Sequence, residues 1–300
     1  VAFGLNVAAR QGVPWLFVLR KDQIRIYPAK DGIGVGQKGQ VETYLEIDLA
    51  AIDSERARTL AHLRENSYFS EMIVDLPTVS GPSWTTLLTG VTQSTHCVVD
   101  NDFKEHKLAS APDLLTLATR KFPEIKTFAA AGWPPLIDPN DVGPVIATRT
   151  EDQQSGKHSI FVRDGETNGY ESVDVEVAHA TVKEIHESGP DLSFVYFCGA
   201  DEAGHQFGTV EGKYFDAIER IDLLVEALQQ VVQNRCNKYQ EKWLIVITTD
   251  HGHRDEGGHG GDSSQERASF VIAHGVGMPH PSWPADIQPE ELVGQILATL

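Results

Sequence analysis

Leu192-Ser193-Phe194-Val195-Tyr196-Phe197 leads into Asp201-Glu202-Ala203-Gly204-His205, and Trp243-Leu244-Ile245-Val246-Ile247 leads into Asp250-His251-Gly252, with Gly258-His259-Gly260 shortly after. Both apolar runs have the length and composition of a strand buried on both faces, and a glycine-punctuated segment follows each. Open α/β sheets hold their ligands at the carboxyl ends of such strands. Two aspartates and three histidines at two strand exits make a candidate nest for divalent metal. Oxygen and imidazole donors without thiolate suit zinc, and less selectively manganese or iron. Taken singly, each of these residues reads as a surface or capping group. It is the combination in glycine-rich exits that points to an ion. His253 and Asp255 fall in the same loop and are read as solvent-facing or supporting residues.

Working outward, strands and helices alternate from about Ser54. Helical segments are expected over Ser54–Glu65, Pro82–Thr89, Tyr170–Glu187 and Tyr214–Val232, and a strand over Lys126–Gly132. In the last helix Phe215, Ile218, Ile221, Leu224, Leu228 and Val231 recur at helical spacing and bury one face. The pattern predicts an α/β fold with a mainly parallel central sheet and helices on both faces.

Residues 1–47 read differently. Pro14–Leu19, Gln23–Tyr27 and Val41–Ile47 look like short strands, the last two separated by a glycine-rich stretch. They suggest a small antiparallel N-terminal segment, followed by a metal-dependent domain over 48–300. Gly34-Val35-Gly36-Gln37-Lys38-Gly39 spells a dinucleotide fingerprint, but a strand-like run follows it where that motif needs a helix.

The chain has 300 residues, 41% of them apolar, and a formal charge of −18. That balance disfavours nucleic-acid binding through a basic surface. It leaves room for a phosphate substrate, because bound cations reverse the local sign. No run reaches the roughly 18 apolar residues of a membrane span. No signal peptide is visible, although the chain begins with Val1. Cys97, Cys198 and Cys236 cannot all pair within one chain. Cys198 reads as a core thiol. Together these features lean towards the cytoplasm.

Ser80, before Gly81-Pro82, is expected at the N-cap of the Pro82–Thr89 helix, which Gly90 stops. There it would meet the positive end of the helix dipole and the amide of Gly81. A hydroxyl so placed is a candidate nucleophile, and equally an ordinary helix cap. Spacing alone does not choose between them.

The motifs Thr78-Val79-Ser80-Gly81-Pro82-Ser83-Trp84-Thr85-Thr86-Leu87-Leu88-Thr89-Gly90, His96-Cys97-Val98-Val99-Asp100-Asn101, Asp201…His205, Thr249-Asp250-His251-Gly252 and His259 fall in the order of the alkaline phosphatase superfamily. From about residue 66 to the C-terminus the chain resembles its type I phosphodiesterase/nucleotide pyrophosphatase branch. The resemblance implies hydrolysis of a small-molecule phosphodiester or pyrophosphate by double displacement, with Ser80 attacking and a phosphoseryl intermediate. It implies two divalent ions, zinc first among the candidates. Asp201, His205 and His259 would hold one. Asp250 and His251 would hold the other, beside Ser80. Asn101 would offer its amide to a nonbridging phosphoryl oxygen.

Three departures stand out. Ser80 replaces the threonine common in animal members. Cys97 stands where glycine usually follows the motif histidine. The family's first metal-binding Asp-Gly has no counterpart upstream of Ser80. Asp48 is the best substitute, ahead of Asp53 and Asp75, and without it the chain would be a catalytically impaired phosphoester- or metal-binding protein. Residues 1–49 weakly resemble an N-terminal segment of restriction–modification proteins, which raises a nucleic-acid module as a further alternative. Within the superfamily, phosphomonoesterase, phosphonate hydrolase and sulfatase are alternatives. The sulfatase motif Cys/Ser-x-Pro-x-Arg is met except that Trp84 replaces Arg. Trp84, Trp133 and Phe103 are candidates to stack on a base or aryl group, although such residues more often belong to a core.

Overall fold

The computed structural model describes residues 40–45, 49–52, 55–210 and 212–300. Its centre is a seven-stranded sheet. The strands are β1 (Gln40–Leu45), β2 (Tyr68–Ile73), β3 (Thr127–Ala131), β4 (His158–Val162), β5 (Leu192–Phe197), β6 (Trp243–Thr248) and β7 (Ala268–Val276). They lie in the order β2-β7-β6-β1-β5-β3-β4. β6, β1, β5, β3 and β4 pair in parallel, while β7 runs antiparallel to both β6 and β2.

The principal helices are α1 (Arg58–Glu65), α2 (Ser80–Thr89), α3 (Leu114–Lys121), α4 (Tyr170–Glu187), α5 (Gly199–Phe207), α6 (Gly212–Tyr239) and α7 (Leu292–Thr299). Alternation along the two central strands divides the core. Val195, Phe197, Ile245 and Ile247 face a layer built by α1, α4 and α6, including Leu60, Val177, Ile185, Ile221 and Leu228. Phe194, Tyr196, Leu244 and Val246 face the opposite layer of α2, α3 and α7, with Trp84, Leu87, Leu115 and Ile296. Each fully buried side chain of this size contributes about 1.5–3 kcal/mol of transfer free energy, so an uninterrupted apolar run is stable only when both faces are covered. No helix among the described residues is long and apolar enough to cross a membrane.

One expectation is corrected. Val41–Ile47 was expected in an antiparallel segment, yet its described part, within β1, pairs in parallel with β5 on one side and β6 on the other. A short apolar run carries no mark of pairing direction, because side-chain alternation is the same in both. The sheet therefore begins before residue 48. Pro14–Leu19, Gln23–Tyr27, the glycine-rich stretch, Asp48 and Asp53 lie outside the described residues.

β1 is the spacer that sets the site. β5 and β6 flank it and end on the same edge of the sheet, so the segments carrying Asp201 and Asp250 emerge side by side.

Candidate metal and phosphoester site

Two loops and two helix starts converge at this edge. Past β5 the chain enters α5, a nine-residue helix. A helix places positions four apart on one face, so Asp201 and His205 point the same way. Asp174, in the middle of α4, fixes the start of α5. Its carboxylate accepts from the backbone nitrogens of Cys198 (3.1 Å) and Gly199 (2.7 Å). Glycine is required at 199, since a Cβ there would lie 2.7 Å from Asp174 Oδ2. Burial, only partly offset by these amides and by Arg220, pushes the Asp174 carboxyl up to about 7.

Past β6, Asp250, His251 and His253 are buried. Three imidazole nitrogens then face one carboxylate oxygen. Asp201 Oδ1 lies 2.8 Å from His253 Nε2, 3.5 Å from His205 Nε2 and 3.6 Å from His259 Nε2. His205 Nε2 and His259 Nε2 are 3.0 Å apart. One donor atom from each of Asp201, His205, His253 and His259 fits within 4.8 Å of the others. His259 is held from behind. Its Nδ1 donates to the Thr78 carbonyl at 2.7 Å, and the Thr78 hydroxyl accepts from Gly260 N and donates to the Gly261 carbonyl. A carbonyl can only accept, so Nδ1 carries the proton and Nε2 turns a lone pair into the cluster.

A second group adjoins the first through the rings of His251 and His259, stacked with centroids 3.9 Å apart. His251 Nδ1 donates to the Gly252 carbonyl, leaving Nε2 to accept. That Nε2 is 3.2 Å from Asp250 Oδ2 and 3.3 Å from Ser80 Oγ. Ser80 is buried and opens α2, with Val79 as the extended N-cap. The cap position thus sits one residue earlier than expected.

Asn101 comes from a separate loop. Its Oδ1 accepts from Gly81 N at 2.7 Å. The Gly81 amide, expected from the sequence to lie beside Ser80, is therefore already used by Asn101. The loop is anchored by buried His96. Val98 N donates to His96 Nδ1, and His96 Nε2 donates to the Thr86 hydroxyl. Burial pushes His96 down to about 4, so it is neutral. Cys97 adopts φ 58°, the left-handed conformation a glycine would take freely.

The electrostatics suit a cation. Burial opposes the Asp201 charge, but the His253 hydrogen bond and the neighbouring His251 and His205 rings hold its carboxyl well below the usual range. Burial pushes His251 and His259 down, with the neighbouring imidazoles adding to it. Neutral imidazole and ionised carboxylate are the forms that bind metal. The donor set therefore fits a divalent ion.

Ser80, Asp250 and His251 thus meet, as do Asp201, His205 and His259, with Asn101 joined through Gly81. His253, read from the sequence as solvent-facing or supporting, is buried in the cluster and bonded to Asp201. The signal that could have found it is its spacing, two residues after His251 in the same loop. Asp255 is exposed, as expected, and accepts from Gln265. Thr78 and Asp174 were also missed, because nothing local marks a residue that holds another. Trp84, Trp133 and Phe103 are core residues: Trp84 and Trp133 pack on Tyr196, and Phe103 packs on Trp133.

The sequence pattern of the family described as type I phosphodiesterase/nucleotide pyrophosphatase matches residues 47–262. The chain belongs to that family. As a type I phosphodiesterase family member it is similar to GPI ethanolamine phosphate transferase 1 of Yarrowia lipolytica, 31% identical over 111 residues, covering 37% of this chain and 12% of the relative. GPI ethanolamine phosphate transferase 2 of Candida glabrata is 24% identical over 201 residues, covering 65% of this chain and 22% of the relative. The chain thus spans less than a quarter of the length of these curated relatives. In fold it resembles an inactive form of murine ectonucleotide pyrophosphatase/phosphodiesterase 5 in complex with AMP, with TM-score 0.64, 13% identity, and 88% of this chain and 96% of that one covered. Sulfatases and a phosphonoacetate hydrolase share the fold as well, which is that of the alkaline phosphatase superfamily.

Proposed function

We propose that this chain cleaves phosphodiester or pyrophosphate bonds with Ser80 as nucleophile. The observation that carries the reading is the approach of Ser80 Oγ to His251 Nε2, 3.3 Å, at the start of a helix whose next amide is tied to Asn101. Asp201, His205 and His259 would hold one divalent ion. Asp250 and His251, with Asp48 as a further carboxylate, would hold a second. Ions there would supply Lewis-acid stabilisation of phosphoryl oxygens and a lowered pKa for a serine hydroxyl.

The chain's own groups do the rest. The Ser80 hydroxyl faces the Nε2 lone pair of His251, and an ion held by that nitrogen would take the place of this hydrogen bond. With its Oδ1 engaged by Gly81, Asn101 keeps Nδ2 to donate to a nonbridging oxygen as charge develops. Attack by Ser80 forms the serine–phosphorus bond as the leaving oxygen departs. Water then breaks that bond and restores the hydroxyl.

The names of the curated relatives favour a second reading on the same site: transfer to an acceptor alcohol in place of water. Sulfatase activity is disfavoured, because Trp84, at the motif's arginine position, is fully buried against Tyr196.

The test is turnover of bis(p-nitrophenyl) phosphate by the zinc-loaded chain, with and without an alcohol acceptor. Hydrolysis lost on chelation, restored by zinc and absent in Ser80→Ala supports the hydrolase. A dominant acceptor ester supports the transferase. Unchanged turnover in Ser80→Ala removes the serine from the reaction.

A further inference from the structure

We propose that His253 is itself a metal ligand, so that the ion at Asp201, His205 and His259 is held by three imidazoles and one carboxylate. The proposal deepens the reading above and rests on the same cluster being an ion site.

The geometry carries it. All three imidazoles face Asp201 Oδ1: His205 and His259 at 3.5 and 3.6 Å, close to the spacing of two donors on one ion, and His253 at 2.8 Å, a hydrogen-bond distance that an ion between the two would lengthen. Bonds of about 2.0–2.1 Å to one ion put tetrahedral donors about 3.3 Å apart and trans donors about 4.1 Å apart. All four donor atoms here lie within 4.8 Å of one another. The ring arrangement agrees. His253 stands edge-on to His205 (83°) and to His259 (86°), which aims nitrogens inward and keeps faces apart.

The rival role is an orienting hydrogen bond to Asp201. A residue that only orients a ligating carboxylate bonds most simply to the oxygen turned away from the ion. His253 instead meets Oδ1, the oxygen that the other two imidazoles also face. The position is built for a ring as well. The His253 side chain is fully buried, and it lies over Gly204, where a Cβ would come 3.1 Å from its Cδ2. Asp201, His205 and His259 alone would leave a tetrahedral ion one open position. With His253 bound, a phosphoryl oxygen enters only by expansion to five donors.

The experiment measures ions instead of turnover. Zn²⁺ affinity is read by competition with a chromophoric chelator, and Co²⁺ coordination by its visible spectrum, in the unaltered chain, His253→Ala and His253→Gln. Glutamine can still donate to Asp201 but is a poor ligand. The expected result is a loss in Zn²⁺ affinity at one site in both variants that exceeds the roughly 10–100-fold cost of removing an orienting partner, with an altered Co²⁺ spectrum in both. Affinity within twofold and an unchanged spectrum in His253→Gln overturn the proposal, as does an unaltered chain that binds neither ion. If His253→Ala does not fold, His253→Gln decides alone. Should ion binding follow expectation while the loaded chain hydrolyses nothing, the hydrolase reading fails and the ligand assignment stands.

Discussion

The side-chain oxygen of Asn101 lies 2.7 Å from the backbone nitrogen of Gly81, so a loop from elsewhere in the chain is locked to the residue after Ser80. The lock depends on the missing side chain. A Cβ at position 81 would sit 2.6 Å from the Asp100 carbonyl oxygen and 2.9 Å from Asn101 Oδ1. Asn101→Ala is therefore expected to lower kcat/KM for an aryl phosphodiester by about 10²–10³-fold, the scale of a lost transition-state donor. Gly81→Ala should lower it by more than about tenfold through displacement of the loop. Steady-state kinetics check both.

Cys97 makes the turn before that loop at φ 58°. Cys97→Gly should fold with at least the parent stability, since the strain it relieves offsets the added freedom of its unfolded chain. Cys97→Val puts a β-branched residue in the left-handed region and should cost roughly 1–3 kcal/mol. Urea midpoints at constant slope measure the difference.

Asp174 gives the chain a pH signature. Its carboxyl is raised from the ordinary 3.8 to about 7 by burial. The folded chain thus keeps a proton that the unfolded chain releases. Stability from this group is complete below about pH 4 and is lost as pH rises to about 7, with a slope of up to ~1.4 kcal/mol per pH unit. Asp174→Asn cannot ionise. Urea titrations between pH 4 and 8 should show this component of the slope in the parent and its disappearance in the variant.

Metal removal should also be visible in stability. Only the folded chain brings these imidazoles and the Asp201 carboxylate within reach of one ion. Zinc at 100 times its dissociation constant should add about 2.7 kcal/mol. Chelation should lower the thermal midpoint, and re-addition of zinc should restore it. His259→Ala should abolish most of the gain.

Legibility from sequence followed locality. β5 and α4 have the bounds expected, because an unbroken apolar run and a long periodic helix carry their own signal. β2 did not stand out: Ser70 and Glu71 interrupt it, and only alternate residues are buried. β7, though apolar, gives no sign that it runs against its neighbours. At the site, Asp201, His205, Asp250, His251 and His259 were legible as chemical types beside strand ends. His253 was not, because what places it is the packing of its ring on Gly204, a contact 49 positions away in the sequence. Gly81 was legible as a helix-start amide but not as Asn101's donor, since that pairing joins two loops.

The position of β1 sets a limit on shortening the chain. The family match starts at residue 47, two residues past the end of β1 at Leu45. A fragment trimmed to that match would lose the middle rung of the ladder. β5 and β6, normally about 9–10 Å apart across it, would face each other over an empty slot with two raw edges. They could close the slot only by sliding together and carrying Asp201 and Asp250 out of step. Residues 40–45 are thus the keystone of the cation pocket through their backbone pairing with β5 and β6.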